Sequence, residues 1–118
     1  MTRCALLALL LCGCSMPDDG PRSTSQATAA SERGRAFAEQ TCGGCHAVGI
    51  SGKSRHASAP PFRTLHQRYP VENLEEALGE GITTGHPDMP QFTLSGDEAQ
   101  DLVVYLRTLQ PAEKGARR

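Results

Sequence analysis

Residues 42–46 read Cys-Gly-Gly-Cys-His, and this stretch decides how the rest of the chain is interpreted. Two thiols three positions apart on one turn can reach two vinyl groups on one edge of a porphyrin. The imidazole that follows can bind the iron through a ring nitrogen, and the two glycines keep side chains away from the ring. The stretch therefore predicts that Cys42, Cys45 and His46 hold one covalently attached haem c.

Three other uses of these residues are the alternatives. A thioredoxin-type redox pair belongs after a strand in an α/β pattern, which the sequence does not show. A zinc site would need two further ligands, and the body of the chain has no second cysteine pair. A plain disulfide would give no reason for His46. The rest of the sequence therefore favours haem attachment.

Iron bound by His46 needs a ligand on its other face or an open site there, and Met89 is the candidate thioether. Of the two methionines after the first residue, Met16 lies near the N-terminus and Met89 lies in His-Pro-Asp-Met-Pro. Pro87 has a fixed φ and Pro90 favours extended backbone at Met89, so this loop is stiff. A His/Met pair raises the reduction potential of haem iron. Three histidines are the competing ligands: His86, His56 and His66.

Length and composition restrict the class of protein. The 118 residues suffice for one small domain. A formal net charge of −1 gives no positive surface field for nucleic acid. The five aromatic rings are few for a self-sufficient core, which suggests that a bound group completes it.

Apolar periodicity predicts helices and no strand of useful length. A first helix is expected to be capped by Ser31 and to present Gly34, Phe37, Ala38 and Thr41 on one face. Glycine inside a helix costs about 1 kcal/mol relative to alanine, so Gly34 suggests close approach by another helix.

The last helix is the best candidate for that approach. Ser95-Gly96-Asp97-Glu98 is a capping box, and an apolar face follows it. A middle helix is expected over roughly 71–79, after a long loop over 47–70. The apolar face of the last helix consists of Ala99, Leu102, Val103, Leu106 and Leu109.

The N-terminus predicts export. Arg3 precedes an apolar run over 5–11 that is too short for the roughly 20 residues of a membrane-spanning helix. Leu-Cys-Gly-Cys over 11–14 resembles a bacterial lipoprotein signal, so 1–14 is expected to be a signal peptide with Cys14 as the lipidated residue. Ordinary cleavage into a soluble exported protein is the alternative.

The other boundaries follow from composition. Residues 15–30 are rich in Ser, Thr, Ala, Pro and Gly, which predicts a flexible tether. The folded domain is expected over 31–110, and 111–118 form a C-terminal tail.

Over 31–110 the order of motifs resembles a monohaem bacterial class I c-type cytochrome. The order is helix, C-x-x-C-H, proline-containing loop, helix, Met loop and a last helix reading Asp-Leu-Val-Val-Tyr-Leu-Arg-Thr-Leu. The resemblance implies a small all-α fold of three to four helices, with long loops wrapped around one haem. It also implies that the first and last helices cross near Gly34 and Tyr105.

The resemblance further implies that a proline carbonyl accepts a hydrogen bond from the free ring nitrogen of His46. The segment Ala-Pro-Pro-Phe over 59–62 stands at the expected place. Pro60 is the expected acceptor and Pro61 the alternative. Such a bond fixes the imidazole and tunes the iron.

The function implied is that of a one-electron carrier, not an enzyme, on the periplasmic side of a bacterial membrane. It is expected to be a lipid-anchored monomer that exchanges electrons with a membrane oxidase, dehydrogenase or reductase and binds no nucleic acid. The alternatives are a gas- or peroxide-reactive haem protein in which Met89 dissociates, and an electron-transfer subunit of a larger complex. Residues 31–70 carry +4 and 71–110 carry −7, which predicts a dipole that steers docking, unless these charges are only solvated surface.

Overall fold

The computed structural model describes residues 21–82 and 87–111, and within them the chain is helical without any strand. This confirms the predicted all-α fold. The signal peptide with Cys14, His86 and the tail from 112 onward lie outside the described residues. The elements are α1 (Pro21–Phe37), a π-helical turn (Ala38–Cys42), 3₁₀ turns at Phe62–Gln67 and Val71–Asn73, α2 (Leu74–Glu80) and α3 (Gly96–Thr108).

Helices α1 and α3 touch through their backbones at Gly34. A Cβ atom there would overlap the carbonyl of Asp101, so only glycine allows the approach. The guanidinium of Arg33 donates two hydrogen bonds to the carboxylate of Asp101, at 2.6 and 2.7 Å. The contact lies one turn before Tyr105, close to where the resemblance implied it.

The first helix begins at Pro21, so the expected start at Ser31 is wrong. Proline suits the first turn of a helix because that turn has unpaired N–H groups in any case. Alanines at 27, 29 and 30 favour helix, and the segment extends an already docked helix, which avoids the cost of nucleation. The part of the expected tether over 21–30 is therefore helical, with exposed side chains over 23–29.

The π-helical turn changes which side chains face the core. Thr41 was expected on the same face as Gly34 and Ala38, but it is exposed. Cys42 is half-buried and packs against the core instead. A π turn holds one residue more than an α turn, so it moves the inward position one residue along the chain.

The other two helices form near the expected positions. Ser95 caps α3, because its hydroxyl accepts from the N–H of Glu98 while the Glu98 carboxylate accepts from the N–H of Ser95. The middle helix expected over 71–79 begins as the 3₁₀ turn Val71–Asn73 and continues as α2. The N–H of Leu94 donates to the carbonyl of Leu78 at 2.9 Å, which joins α2 to the segment before α3.

Within 21–82 and 87–111 no helix is both long and apolar enough to cross a membrane.

Candidate functional site

A cavity of about 540 Å³ lies between the turn over 42–46, the loop over 56–62, the segment over 87–92 and one face of α3. Its wall is mostly apolar. All five residues predicted for the site line it: Cys42, Cys45, His46, Pro60 and Met89.

The attachment turn is held by its own backbone. The N–H groups of Cys45 and His46 both donate to the carbonyl of Cys42, at 3.1 and 2.9 Å. This tight turn brings the two thiols and the imidazole to one cavity. Gly43 closes the preceding π turn through a 2.9 Å hydrogen bond to the carbonyl of Ala38.

The structure explains why the first residue between the two cysteines is glycine, and the sequence alone does not suggest this explanation. A Cβ atom on Gly43 would lie 2.6 Å from the carbonyl oxygen of Glu39. A Cβ atom on Gly44 would meet nothing within 4 Å, and Gly44 lines the cavity. Gly43 is therefore required by the chain that precedes it, whereas Gly44 fits the expectation of leaving room for a ring.

The imidazole of His46 is fixed by two neighbours. Its Nδ1 donates to the carbonyl of Pro60 at 2.8 Å, and because a carbonyl can only accept, Nδ1 carries the hydrogen. Nε2 then keeps the lone pair that binds metal. The ring of Phe62 lies 5.2 Å from that of His46 at an angle of 50°. Pro60, rather than Pro61, supplies the contact.

The two cysteines have different surroundings. Cys45 is exposed, whereas Cys42 is half-buried, and burial raises the pKa of the Cys42 thiol to about 11. Thiol exchange needs a thiolate, so the surroundings of Cys42 disfavour it. Among the described residues, no three His, Cys, Asp or Glu side chains lie together where they could hold a metal ion such as zinc. A neutral thioether at Cys42 suits the same apolar wall.

The candidates for the second iron ligand differ in whether they line the cavity. Met89 is half-buried and lines the cavity beside Asp88, and His56 also lines it. His66 is not among the lining residues, and its Nδ1 is buried without a hydrogen-bond partner.

Sequence reasoning missed much of the cavity wall. Phe62 and Leu65 lie three residues apart in a 3₁₀ turn and present buried side chains to the cavity. Leu102 and Leu106, on the predicted apolar face of α3, line the cavity as well as the core. Arg68 is the one Arg or Lys among the described lining residues. The spacing of three residues between Phe62 and Leu65 is the sequence signal that could have placed both side chains on one face of a turn.

These residues fit a haem. The cavity is large, its wall is mostly apolar, and two thiols, an oriented imidazole and a thioether sulfur are among the groups that line it. Taken together, they define a small all-α protein that attaches haem covalently through C-x-x-C-H.

The chain belongs to the cytochrome c family, whose model matches 31–110, and it is a class I c-type cytochrome. It is 32% identical to cytochrome c-552 of Bradyrhizobium diazoefficiens over 89 residues, which cover 75% of this chain and 84% of that protein. It is also 32% identical to cytochrome c oxidase subunit 2 of Alkalihalophilus pseudofirmus over 101 residues, 73% of this chain but only 27% of that protein. No solved structure matches the chain. Family membership makes the protein a haem electron carrier with c-type haem bound covalently.

Proposed function

We propose that the protein carries single electrons between redox proteins, with Cys42 and Cys45 as thioether links and His46 and Met89 as axial ligands. The observation that carries this proposal is the convergence of these four side chains on one apolar cavity. The bound haem supplies one-electron exchange between ferrous and ferric iron.

The chain's own residues have distinct tasks in this function. The carbonyl of Pro60 accepts from Nδ1 of His46 at 2.8 Å, which holds the imidazole in one tautomer and one orientation. Buried Leu102 and Leu106 exclude water from the cavity. Met89 stands two residues after Pro87 and directly before Pro90, so its backbone has little freedom to withdraw.

Transfer of electrons without substrate conversion follows from a full set of ligands. With both axial positions occupied by side chains, no iron position is left for a substrate. We therefore propose that the protein is not an enzyme.

The membrane is the proposed place of work. Lipidation at Cys14, after removal of the signal peptide, would anchor the protein on the periplasmic side as a monomer. The proposed partners are a membrane oxidase, dehydrogenase or reductase. The similarity to one part of an oxidase subunit supports a second candidate, an electron-transfer subunit held in such a complex.

The axial ligands are tested by absorption spectra of the haem-loaded protein, oxidised and reduced, with and without carbon monoxide. We expect a low-spin spectrum with the far-red band of a Met–iron bond and no response to carbon monoxide. Met89→Ala should lose that band and bind carbon monoxide, whereas the matched Met16→Ala should do neither. A wild-type protein that is high-spin or binds carbon monoxide would instead support the gas- or peroxide-reactive alternative.

Anchoring is tested separately, by fractionating cells that express the full chain. We expect the protein in the membrane fraction, with Cys14→Ser moving it to the soluble fraction and Cys12→Ser leaving it in place. Retention of Cys14→Ser with a large membrane complex would favour the subunit candidate over a free carrier.

A further inference from the structure

We propose that His56 is a positioning residue that ties the segment carrying Met89 to the haem-attachment turn and so slows the release of Met89 from iron. The inference rests on the axial role of Met89 proposed above. It concerns a contact between two loops at the rim of the cavity, involving the side chains of His56 and Asp88.

The backbone of His56 is fixed to the attachment turn. Its N–H donates to the carbonyl of Cys45 at 3.1 Å, and its own carbonyl accepts from the N–H of Ala59 at 3.1 Å. Cys45 directly precedes His46. The backbone of His56 is therefore hydrogen-bonded to the attachment turn, and the two move together.

The ring of His56 is oriented toward the other loop. The N–H of Ser58 donates to Nδ1 of His56 at 3.3 Å, so Nδ1 acts as an acceptor and Nε2 carries a hydrogen. Nε2 lies 3.4 Å from Oδ2 of Asp88. Because a neutral ring of this tautomer already has a hydrogen on Nε2, the attraction to the carboxylate does not require a charged ring.

The contact between His56 and Asp88 lies next to the proposed iron ligand Met89. Asp88 directly precedes Met89, and both line the cavity together with His56. Pro87, Asp88 and Pro90 are exposed and lie outside any α-helix. Backbone movement of this segment carries the Met89 sulfur away from the attachment turn, so a link at Asp88 opposes that movement.

The energy of this link is modest. The side chains of His56 and Asp88 are 40% and 73% exposed, and even a fully charged pair at such exposure contributes at most about 1 kcal/mol. That value corresponds to roughly a five-fold change in a rate. The effect should therefore appear in the kinetics of ligand release, while the ligand set at rest stays the same.

The test measures how fast added imidazole displaces methionine from the ferric haem-loaded protein. Loss of the far-red band is followed at saturating imidazole, where the rate reports release of Met89. We expect His56→Ala to accelerate this loss roughly two- to five-fold, with the resting spectrum unchanged. His56→Gln, whose amide retains a hydrogen-bond donor, should fall between His56→Ala and the wild type, and it serves also if His56→Ala folds poorly.

The matched control is Glu39→Gln, which removes the exposed Arg35–Glu39 pair away from the cavity and should leave the rate unchanged. If both His56 variants release methionine at the wild-type rate while Met89→Ala loses the band, the inference is overturned and the proposed ligands stand. If the resting spectrum of His56→Ala changes as Met89→Ala should, His56 is itself a ligand and its positioning role is wrong. A wild type without a Met–iron band would overturn both proposals.

Discussion

The contact between α1 and α3 and the pair of loops around the cavity are held in different ways. At the helix contact, backbone meets backbone at Gly34, and the neighbouring side chains of Ala38 and Leu102 are almost completely buried. The loops are joined by several polar contacts, such as the hydrogen bonds from Nδ1 of His46 to the carbonyl of Pro60 and from the N–H of His56 to the carbonyl of Cys45. The difference indicates that the helices supply most of the stability and that the loops supply the ligand geometry.

The largest loss of stability is expected from Gly34→Ala, at the contact between α1 and α3. The new methyl group would overlap the carbonyl of Asp101, and forcing helices apart costs about 3 kcal/mol. Denaturant unfolding of the haem-loaded protein measures the change. Gly79→Ala is the matched control, because a Cβ there meets nothing within 4 Å, and α2 should gain up to about 1 kcal/mol. Equal losses in the two variants would contradict a close contact at Gly34.

A smaller effect is expected from Tyr105→Phe, which acts between the two regions. The hydroxyl of this helix residue donates to the carbonyl of Val48, in the loop after the attachment turn, at 3.0 Å. Removing the donor should cost about 1 kcal/mol and increase amide hydrogen exchange around Val48. Tyr69→Phe, on a side chain that is 39% exposed, should change stability by less than about 0.5 kcal/mol. Similar losses in both variants would show that the hydroxyl of Tyr105 does not join helix and loop.

The smallest effect is expected from Glu98→Gln, and it depends on pH. Hydrogen bonds from the backbone and hydroxyl of Ser95 lower the pKa of Glu98 below its usual 4.5 in the folded protein. A carboxyl with a lowered folded pKa stabilises the protein above the unfolded pKa and loses that contribution as pH falls through the folded pKa. The variant should therefore be less stable at neutral pH, with a difference that shrinks below about pH 4.5.

Unfolding midpoints of wild type and Glu98→Gln across this acid range provide the measurement. Ser95→Ala removes the hydroxyl that helps to lower the pKa, so its curve should lose part of the same acid-side slope. Parallel curves for the wild type and Glu98→Gln would show that the cap is not linked to this ionisation.

Local signals in the sequence were sufficient to predict the contact between α1 and α3. The capping box at Ser95 and Glu98 is complete within four residues, and glycine at position 34 has few explanations other than close packing. Composition does not predict the start of α1 at Pro21, because residues 21–30 have few bulky apolar side chains, which indicates a tether, although their alanines favour helix. The later turns of α1 pack against α3, and the helix continues from them toward the N-terminus into a stretch that has no apolar face.

The loops were less accessible to sequence reasoning. The attachment motif predicts chemistry through its own spacing, and the acceptor at Pro60 came from the family resemblance. Nothing local in the sequence pairs His56 with Asp88, because that contact depends on how two loops close over the same cavity. The displacement of Thr41 from the core face was equally hidden, since no residue type marks a π turn.

The π turn over 38–42 accommodates one extra residue between α1 and the attachment motif without moving the motif. In an unbroken α-helix an inserted residue would rotate everything after it by about 100°. The wider turn absorbs that residue, so Cys42 takes the inward position that residue 41 would have in an α-helix. Deleting Thr41 would therefore restore an α-helix and keep Cys42 against the core, with Gly34 still against Asp101. The chain can thus differ in length by one residue at this turn, or by several at the start of α1, while the cysteines keep their place at the cavity.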